Sequence, residues 1–380
     1  MDVTRASLEE QESIRQSARA FVREHAPVAH FRALRDAGDT LGFSMDLWLE
    51  LGKLGMAGLV VPERWGGAGL GHAELGLVVE ELGRNLVPTP MLANVLGAGA
   101  VALAGRDALR DVVLPGVCTG ERVIALAGDE GVRFAPYVVS TRAERRGSGW
   151  MVSGEKSFVL DGYAAGSFVV VARTSGAPGE RDGLTLVHVL ADQPGVTTTS
   201  LQMVDARSAA RVRFDEAPAE ADDLLGEVGR GAEVLDRVLE RGTAVLAAEM
   251  LGGMQEALDR TLAYLKTRKQ FGVLIGSFQA LKHRAAWMFC EVELTRSLVA
   301  EALRAVDAGR DDARELVSAA KVKATETYRL VTNEAVQMHG GIGVTDEEDV
   351  GLYLKRARVA GEMLGDAGYH RDAFARAKGY

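Results

Sequence analysis

An α+β protein, helical at both ends and β-structured in the middle, is what this sequence predicts, and two changes in hydrophobic period, marking off three regions, predict it. Apolar residues recur at helical spacing through the first third of the chain. They give way to short Val-, Thr- and Phe-rich runs between about Glu121 and Glu227, then return to helical spacing after Gly229. The expected domains are residues 1–120, 121–227 and 228–380. A chain of 380 residues, 47% hydrophobic, is long enough to build two or three domains around sizeable cores.

The first helix is legible in LEEQESIRQSARAFVREHA, where Leu8, Ile14, Ala18, Phe21 and Val22 share a stripe and charges fill the rest. SMDLWLELGKLG and HAELGLVVEELGRNL continue the pattern. Between them GGAGLG (Gly66 to Gly71) is spaced GxGxG instead of GxGxxG and has no βαβ unit around it. It reads as a glycine-rich loop before a helix, not a dinucleotide fingerprint. In the middle, GWMVSGEKSFVL, SFVVVART, LTLVHVLA and ARVRFDE read as strands separated by Gly, Pro and Asp turns. GWMVSGEKS nearly spells a P-loop, but Glu155 separates Gly154 from Lys156 and no helix follows, so a β-hairpin with a polar turn is expected. In the last third, Leu or Met at 246, 250, 254, 258, 262 and 265 makes a stripe suited to a helical bundle or an oligomer interface. The helix through ARELVSAAKVKATETYRLVTNEAVQMHGG is expected to stop at Gly340 and Gly341, where glycine can take the left-handed capping conformation.

Composition excludes several functions. A formal charge of −9 with no basic, aromatic-interleaved stripe argues against nucleic acid. No N-terminal signal pattern and no bilayer-length apolar run are visible, so a soluble, cytoplasmic protein with no membrane partner is expected. The two cysteines, Cys118 and Cys290, lack metal or disulfide spacing and are expected to be buried, inert thiols. Seven scattered histidines give no metal-binding pattern, so redox chemistry would need an organic cofactor.

Two constellations remain. TRKQFGVLIGSFQALKH concentrates Arg268, Gln270, Phe271, Phe278 and Gln279 where a long amphipathic helix stops. An arginine fork suits a pyrophosphate and a phenylalanine face suits an adenine or flavin ring, although a basic helix cap and a turn explain the same residues. In QMHGGIGV, Gln337 can hydrogen-bond a nucleotide, and Gly340 and Gly341 let backbone N–H groups approach a phosphate; an ordinary glycine cap is the alternative.

Together, RxQFG, an FQ seven residues after that phenylalanine, and QxxGGxG some sixty residues later resemble the acyl-CoA dehydrogenase family. LGKLGMAGLVVPERWGGAGLGHAELGLVVEELGRNLVPTP resembles the family's N-terminal domain, and GEKSFVLDGYAAGSFVVVART the part of its β domain beside the flavin. The resemblance implies an N-terminal α-helical domain, a central β-barrel-like domain and a C-terminal four-helix bundle. It implies FAD as cofactor, an acyl-CoA or acyl-carrier thioester as substrate, an electron-transfer flavoprotein or similar acceptor, and a homo- or hetero-oligomer. Arg268 would then meet the FAD pyrophosphate of a neighbouring subunit, with Gln270, Phe271, Phe278 and Gln279 nearby, and Gln337, Gly340 and Gly341 would bind its ADP half. Phe158 and Val159 would lie beside the isoalloxazine. Leu160 lacks the hydroxyl that many members aim at flavin N5, and ALAGDEGVRF stands in place of the family's TEPGAGSD-like loop while keeping little of it.

The family reaction removes a proton from the carbon next to a thioester carbonyl while the β-hydrogen leaves as hydride, giving a trans-2-enoyl product. It needs a carboxylate base, and many members take it from a YEGT segment. The equivalent stretch here is Met363, Leu364, Gly365 and Asp366, with leucine at the base position. A smaller group places its glutamate thirteen residues before a glutamine equivalent to Gln255, and that position is Gly242. Glu249 is the expected catalytic candidate, seven residues beyond Gly242, on the same helical face and roughly 10 Å along the axis. Gly252 and Gly253 beside it leave room for a ligand or another helix, and a structural glutamate paired with a basic side chain is the competing reading. Glu240, Glu362 and Asp366 are further candidates, Glu362 with an i, i+4 partner in Arg358 and Asp366 as a capping residue. The missing acids leave two alternatives to a dehydrogenase: a catalytically silent FAD-binding partner subunit, or a flavin oxidase or monooxygenase on the same fold.

Overall fold

The computed structural model describes residues 6–380, which form two compact units, each assembled from separate stretches of chain. The helices in the first part of the chain are α1 (Leu8–His25), α2 (Val28–Ala37), α3 (Met45–Lys53), α4 (His72–Arg84), α5 (Met91–Ala104) and α6 (Asp107–Cys118). Strands follow as β1 (Ile124–Ala127), β2 (Arg142–Arg146), β3 (Gly149–Leu160), β4 (Ser167–Arg173), β5 (Leu184–Leu190), β6 (Val196–Gln202), β7 (Ser208–Ala219) and β8 (Leu224–Leu225). The chain then forms α7 (Gly231–Thr267), a short hairpin of β9 (Lys269–Gln270) and β10 (Val273–Leu274), α8 (Gln279–Asp307), α9 (Ala313–His339), α10 (Val350–Glu362) and α11 (Ala367–Ala377). Among the described residues no helix is long and apolar enough to cross a membrane.

The first unit comprises residues 32–71 and 88–242. Its sheet runs β6-β7-β3-β2-β4-β5-β8, with β1 added parallel to β4. The expected barrel-like domain is thus a mostly antiparallel eight-stranded sheet whose strand path ends at β6 and β8. Alternating side chains fill one core, where Phe168 and Phe214 meet edge to face with centroids 6.0 Å apart. α5 lies so close on this sheet that a Cβ on Gly97 would sit 2.4 Å from the Ile124 carbonyl oxygen, which only glycine avoids. The hairpin expected inside GWMVSGEKS is not formed. β3 runs straight through, and the irregularity at Gly154 is a register shift against β7, not a turn.

The second unit comprises residues 6–31, 72–87 and 243–380. α1 starts on a reciprocal cap between Ser7 and Glu10. Its Arg15 reaches Glu80 at 3.0 Å and its Arg19 reaches Glu81 at 2.8 Å, fixing α1 on α4. α4 itself begins on Asp307 at the end of α8. That carboxylate accepts from the main-chain N–H of His72 and of Ala73, each at 2.8 Å, and lies 2.8 Å from His72 Nδ1. The space beside Gly252 and Gly253 is taken by protein. A Cβ on Gly252 would fall 1.9 Å from the Glu80 carbonyl oxygen of α4, and one on Gly253 2.2 Å from the Tyr328 hydroxyl of α9. Cys118 is buried as expected, but Cys290 is exposed on α8, between the half-exposed Trp287 and Leu294.

Candidate functional site

In the second unit, α7 ends at Thr267 and the chain turns back through the two-residue loop Phe271–Gly272 of the β9–β10 hairpin. Both loop residues have positive φ, +55° for Phe271 and +79° for Gly272, as a type I′ turn requires. Glycine takes that conformation freely, whereas phenylalanine pays roughly 1–2 kcal/mol in steric strain. Phe271 does so while 90% exposed, so burial among the described residues does not offset the strain. Its ring meets Phe278, edge-on at 6.1 Å and itself 38% exposed. Gln270 and Gln279 are exposed on either side. The Arg268 guanidinium is exposed too, and among the described residues its side chain has no ion pair or hydrogen bond.

The second motif comes to the same edge of this unit. Tyr264, whose carbonyl accepts the Arg268 N–H at 2.9 Å, stacks on His339 with centroids 4.4 Å apart, and its hydroxyl donates to the His339 carbonyl at 3.3 Å. Arg284 of α8 pairs with Glu334 of α9 at 2.5 Å. The end of α7, the start of α8 and the end of α9 are thereby tied together. α9 stops where expected, at Gly340, with φ +67° and ψ −139°, a conformation open only to glycine. Gly341 has no positive φ, and a Cβ there would meet nothing within 4 Å among the described residues, so neither its backbone nor their packing demands glycine at this position. Gln337 is exposed one turn earlier. A free planar fork, exposed carboxamides, open glycine backbone and an unpacked aromatic face form a donor set suited to an anionic dinucleotide.

In the first unit, Phe158 is 51% exposed and also held at positive φ, +52°, at a register shift in β3 between Lys156 and Val159. Val159 is a core residue of the sheet, so its side chain points away from any ligand at that surface. The distortion is pinned from below. Lys156 is fully buried and donates to the Gly128 carbonyl at 2.9 Å and to Glu130 at 2.8 Å, while Ser157 N–H donates to the Asp129 carbonyl at 2.8 Å. Glu130 also accepts from the N–H groups of Ser140 and Thr141. Burial pushes Lys156 down to about 8 against the pull of Glu130, and it lifts Asp129 to about 6. The ALAGDEGVRF loop is thus joined to β3 by a lysine that the sequence pattern had left in a polar turn.

The acids are placed as follows. Glu249 is buried, with its Oε1 2.8 Å from Arg356 Nε and its Oε2 3.1 Å from Arg356 Nη2, a two-pronged pair. A base at this position would first have to leave that fork. Glu362 is exposed at the end of α10, and the expected pairing with Arg358 does not form, because that guanidinium turns to Asn333 at 3.2 Å. Asp366 caps α11, accepting the Tyr369 N–H at 2.7 Å. Glu240 lies half-buried on α7. Leu364 is half-buried with φ +55°. Sequence reasoning passed over Arg356, Lys321 and His370, which bond to the turn that carries Leu364: Arg356 to the Met363 sulfur, Lys321 to the Gly361 and Gly365 carbonyls and His370 to the Leu364 carbonyl. Each is a buried polar residue, and the only local signal was a charged or polar residue on an otherwise apolar helical stripe.

Three family models cover the chain: the acyl-CoA dehydrogenase N-terminal domain matches residues 8–121, the middle domain 126–217 and the C-terminal domain 229–379. The chain is 32% identical over 361 residues to acyl-CoA dehydrogenase IpdE2 of Mycolicibacterium smegmatis, covering 94% of this chain and 95% of that protein. Among solved structures, a variant of the Tcur3481-Tcur3483 steroid ACAD is similar with a TM-score of 0.88 and 31% identity, over 98% of both chains. The ChsE4-ChsE5 complex from Mycobacterium tuberculosis is similar with a TM-score of 0.86 and 27% identity, again over 98% of both chains.

Proposed function

The chain belongs to the acyl-CoA dehydrogenase family, whose members are FAD-dependent oxidoreductases, and from that premise we propose that it binds FAD and desaturates an acyl thioester to its trans-2-enoyl product. The observation that carries this reading is the unclaimed edge of the second unit, where Arg268, Phe271 and Gly341 have conformations or exposures that the chain's own packing does not explain. When bound, FAD supplies the acceptor for the hydride that leaves the β-carbon. Arg268 would meet the pyrophosphate of an FAD held by a neighbouring subunit, Gln337, Gly340 and Gly341 would bind the ADP half across the same interface, and Phe271 and Phe278 would offer it a ring face. Gln270 and Gln279 supply polar contacts beside them, and Phe158 offers its own ring to the flavin. The half-exposed apolar face of α8 that carries Trp287 and Leu294 is covered by a second subunit of the same or a related chain. Reoxidation falls to an electron-transfer flavoprotein or a similar acceptor.

The test is spectroscopic. Protein reconstituted with FAD is mixed anaerobically with a panel of acyl-CoAs, and bleaching of the oxidised flavin band with formation of an enoyl thioester is expected. Protein that takes up no FAD would sink the proposal.

A second reading, a silent partner subunit that completes FAD sites for a competent relative, is favoured by one observation. Leucine stands at the expected base position, and the buried candidate acid, Glu249, is engaged by Arg356. In this reading Glu249 is a structural acid and the proton is taken by a carboxylate of the other subunit. The similarity to the ChsE4-ChsE5 complex fits such an assembly. Bleaching seen only after co-expression with a related chain would select this reading over the stand-alone enzyme. Oxygen consumption with a hydroxylated product would instead mark an oxidase or monooxygenase.

A further inference from the structure

The turn that joins α10 to α11 is held by more buried polar groups than a surface turn needs. Lys321 of α9 is fully buried, and its Nζ donates to the carbonyls of Ala360 at 3.0 Å, Gly361 at 2.9 Å and Gly365 at 3.0 Å. An ammonium has three protons and this cage uses each of them, which selects the charged form although burial pushes its pKa down to about 7. His370 adds a fourth bond, with Nε2 2.9 Å from the Leu364 carbonyl and Nδ1 3.3 Å from the Ser318 hydroxyl. Burial, helped by the Lys321 charge, lowers this ring to about 4, so at neutral pH it is uncharged and donates from Nε2. From the other side Arg356 reaches the Met363 sulfur at 3.6 Å with Nη1 while Glu249 holds its remaining fork. Between these supports Leu364 is kept in the left-handed conformation, which a branched L-residue adopts only where its surroundings over-determine it. The last carbonyls of a surface helix are ordinarily left to water or a glycine cap, so burying a cation to collect them is an expensive alternative.

We propose that this framework is a positioning device: Lys321, with Arg356 braced by Glu249 as its second arm, holds the turn Gly361–Asp366 in one preset conformation, making Leu364 a fixed wall of the acyl-thioester site. The identity of the ligand rests on the dehydrogenase reading above; the framework itself does not. Glu249 then acts at one remove from the substrate, through Arg356, and is a positioning residue. A wall fixed in advance binds without a cost for ordering the turn.

The test compares FAD-loaded wild type with Lys321→Met and with the double variant Glu249→Leu/Arg356→Met. The double variant removes both charges of the pair together, a replacement that folds tolerate better than loss of one partner, so it decides the matter if Lys321→Met does not fold. Two quantities are read: hydrogen exchange of the amides of residues 361–366, and the flavin difference spectrum produced by a redox-inert S-alkyl-CoA thioether. Both variants are expected to exchange faster in that segment and to bind the thioether on the order of tenfold more weakly, with altered band shape and unchanged FAD affinity. Unchanged exchange in both variants overturns the framework. Faster exchange with an unchanged thioether titration overturns the wall. A wild-type protein that loads FAD but gives no spectral response to any thioether marks the separate failure of the dehydrogenase reading; it removes the wall with it, while the exchange arm still decides the framework.

Discussion

Replacing Arg268 separates ligand binding from folding more cleanly than any other substitution in this chain. The side chain is exposed and among the described residues has no ion pair, so its removal should move stability by no more than about 0.5 kcal/mol. Its whole effect should then appear in FAD affinity. A guanidinium on a pyrophosphate makes charge-assisted, two-pronged bonds, and losing such a contact removes about 1.5–3 kcal/mol. Arg268→Gln should therefore weaken FAD by roughly 10- to 150-fold. Arg268→Lys keeps the charge but not the fork and should fall between Gln and wild type. Apoprotein titrated with FAD, followed by quenching of flavin fluorescence, gives the affinity; urea unfolding of the apoprotein gives the stability. Equal FAD affinity in all three proteins would refute the assignment, and so would a loss of several kcal/mol in the apoprotein, since the residue would then be part of the fold.

Three further outcomes follow from the same geometry. Gly341→Ala should leave apoprotein stability within about 0.5 kcal/mol while weakening FAD, whereas Gly340→Ala should itself destabilise by about 1–2 kcal/mol because of its φ and ψ; the same two titrations distinguish them. Asp307→Ala strips the cap from α4 and the partner from His72 and should destabilise by about 2–3 kcal/mol in urea unfolding. Burial alone would raise the Asp307 pKa, but the bonds and charge of His72 outweigh it and hold the carboxyl below its usual range, so this contribution is complete above about pH 4 and lost as pH falls through the lowered value. His370, depressed to about 4 from an unfolded value near 6.5, contributes stability that is whole above about pH 6.5 and drains away by about 3 kcal/mol toward pH 4; His370→Gln should flatten that limb of the stability profile.

The helices and most strands were legible because their signal is local. A 3.6-residue stripe such as Leu246 to Leu265 can be satisfied only by a helix with one buried side, and the glycine after His339 stops α9 where the pattern says it must. The reading failed where burial overrode a local polar pattern. GWMVSGEKS looked like a turn because Glu155, Lys156 and Ser157 are polar, yet Lys156 is buried against Glu130, 26 positions away, and the strand never breaks. Cys290 failed in the other direction, since its helix turns that face outward.

The acids show why a candidate site is harder to read than a fold. Helical spacing put Glu249 on the face of Gly242, but what that face meets is decided by Arg356, 107 positions along the chain. No local pattern announces a pairing of that span. Arg268, Phe271 and Gln337 differ in a physical sense: they lie on exposed turns and helix ends where the rest of the fold makes no claim on them, and Phe271 even bears strain there. A side chain left unclaimed at a backbone cost is a stronger sign of a ligand than an acid on an apolar face, because packing has already been tried as the explanation and does not account for it. By the same logic, a buried acid in a folded protein has almost always been given a cation by the fold, and the search for a base in this chain properly begins with the groups that Arg356, Lys321 and Lys156 leave free.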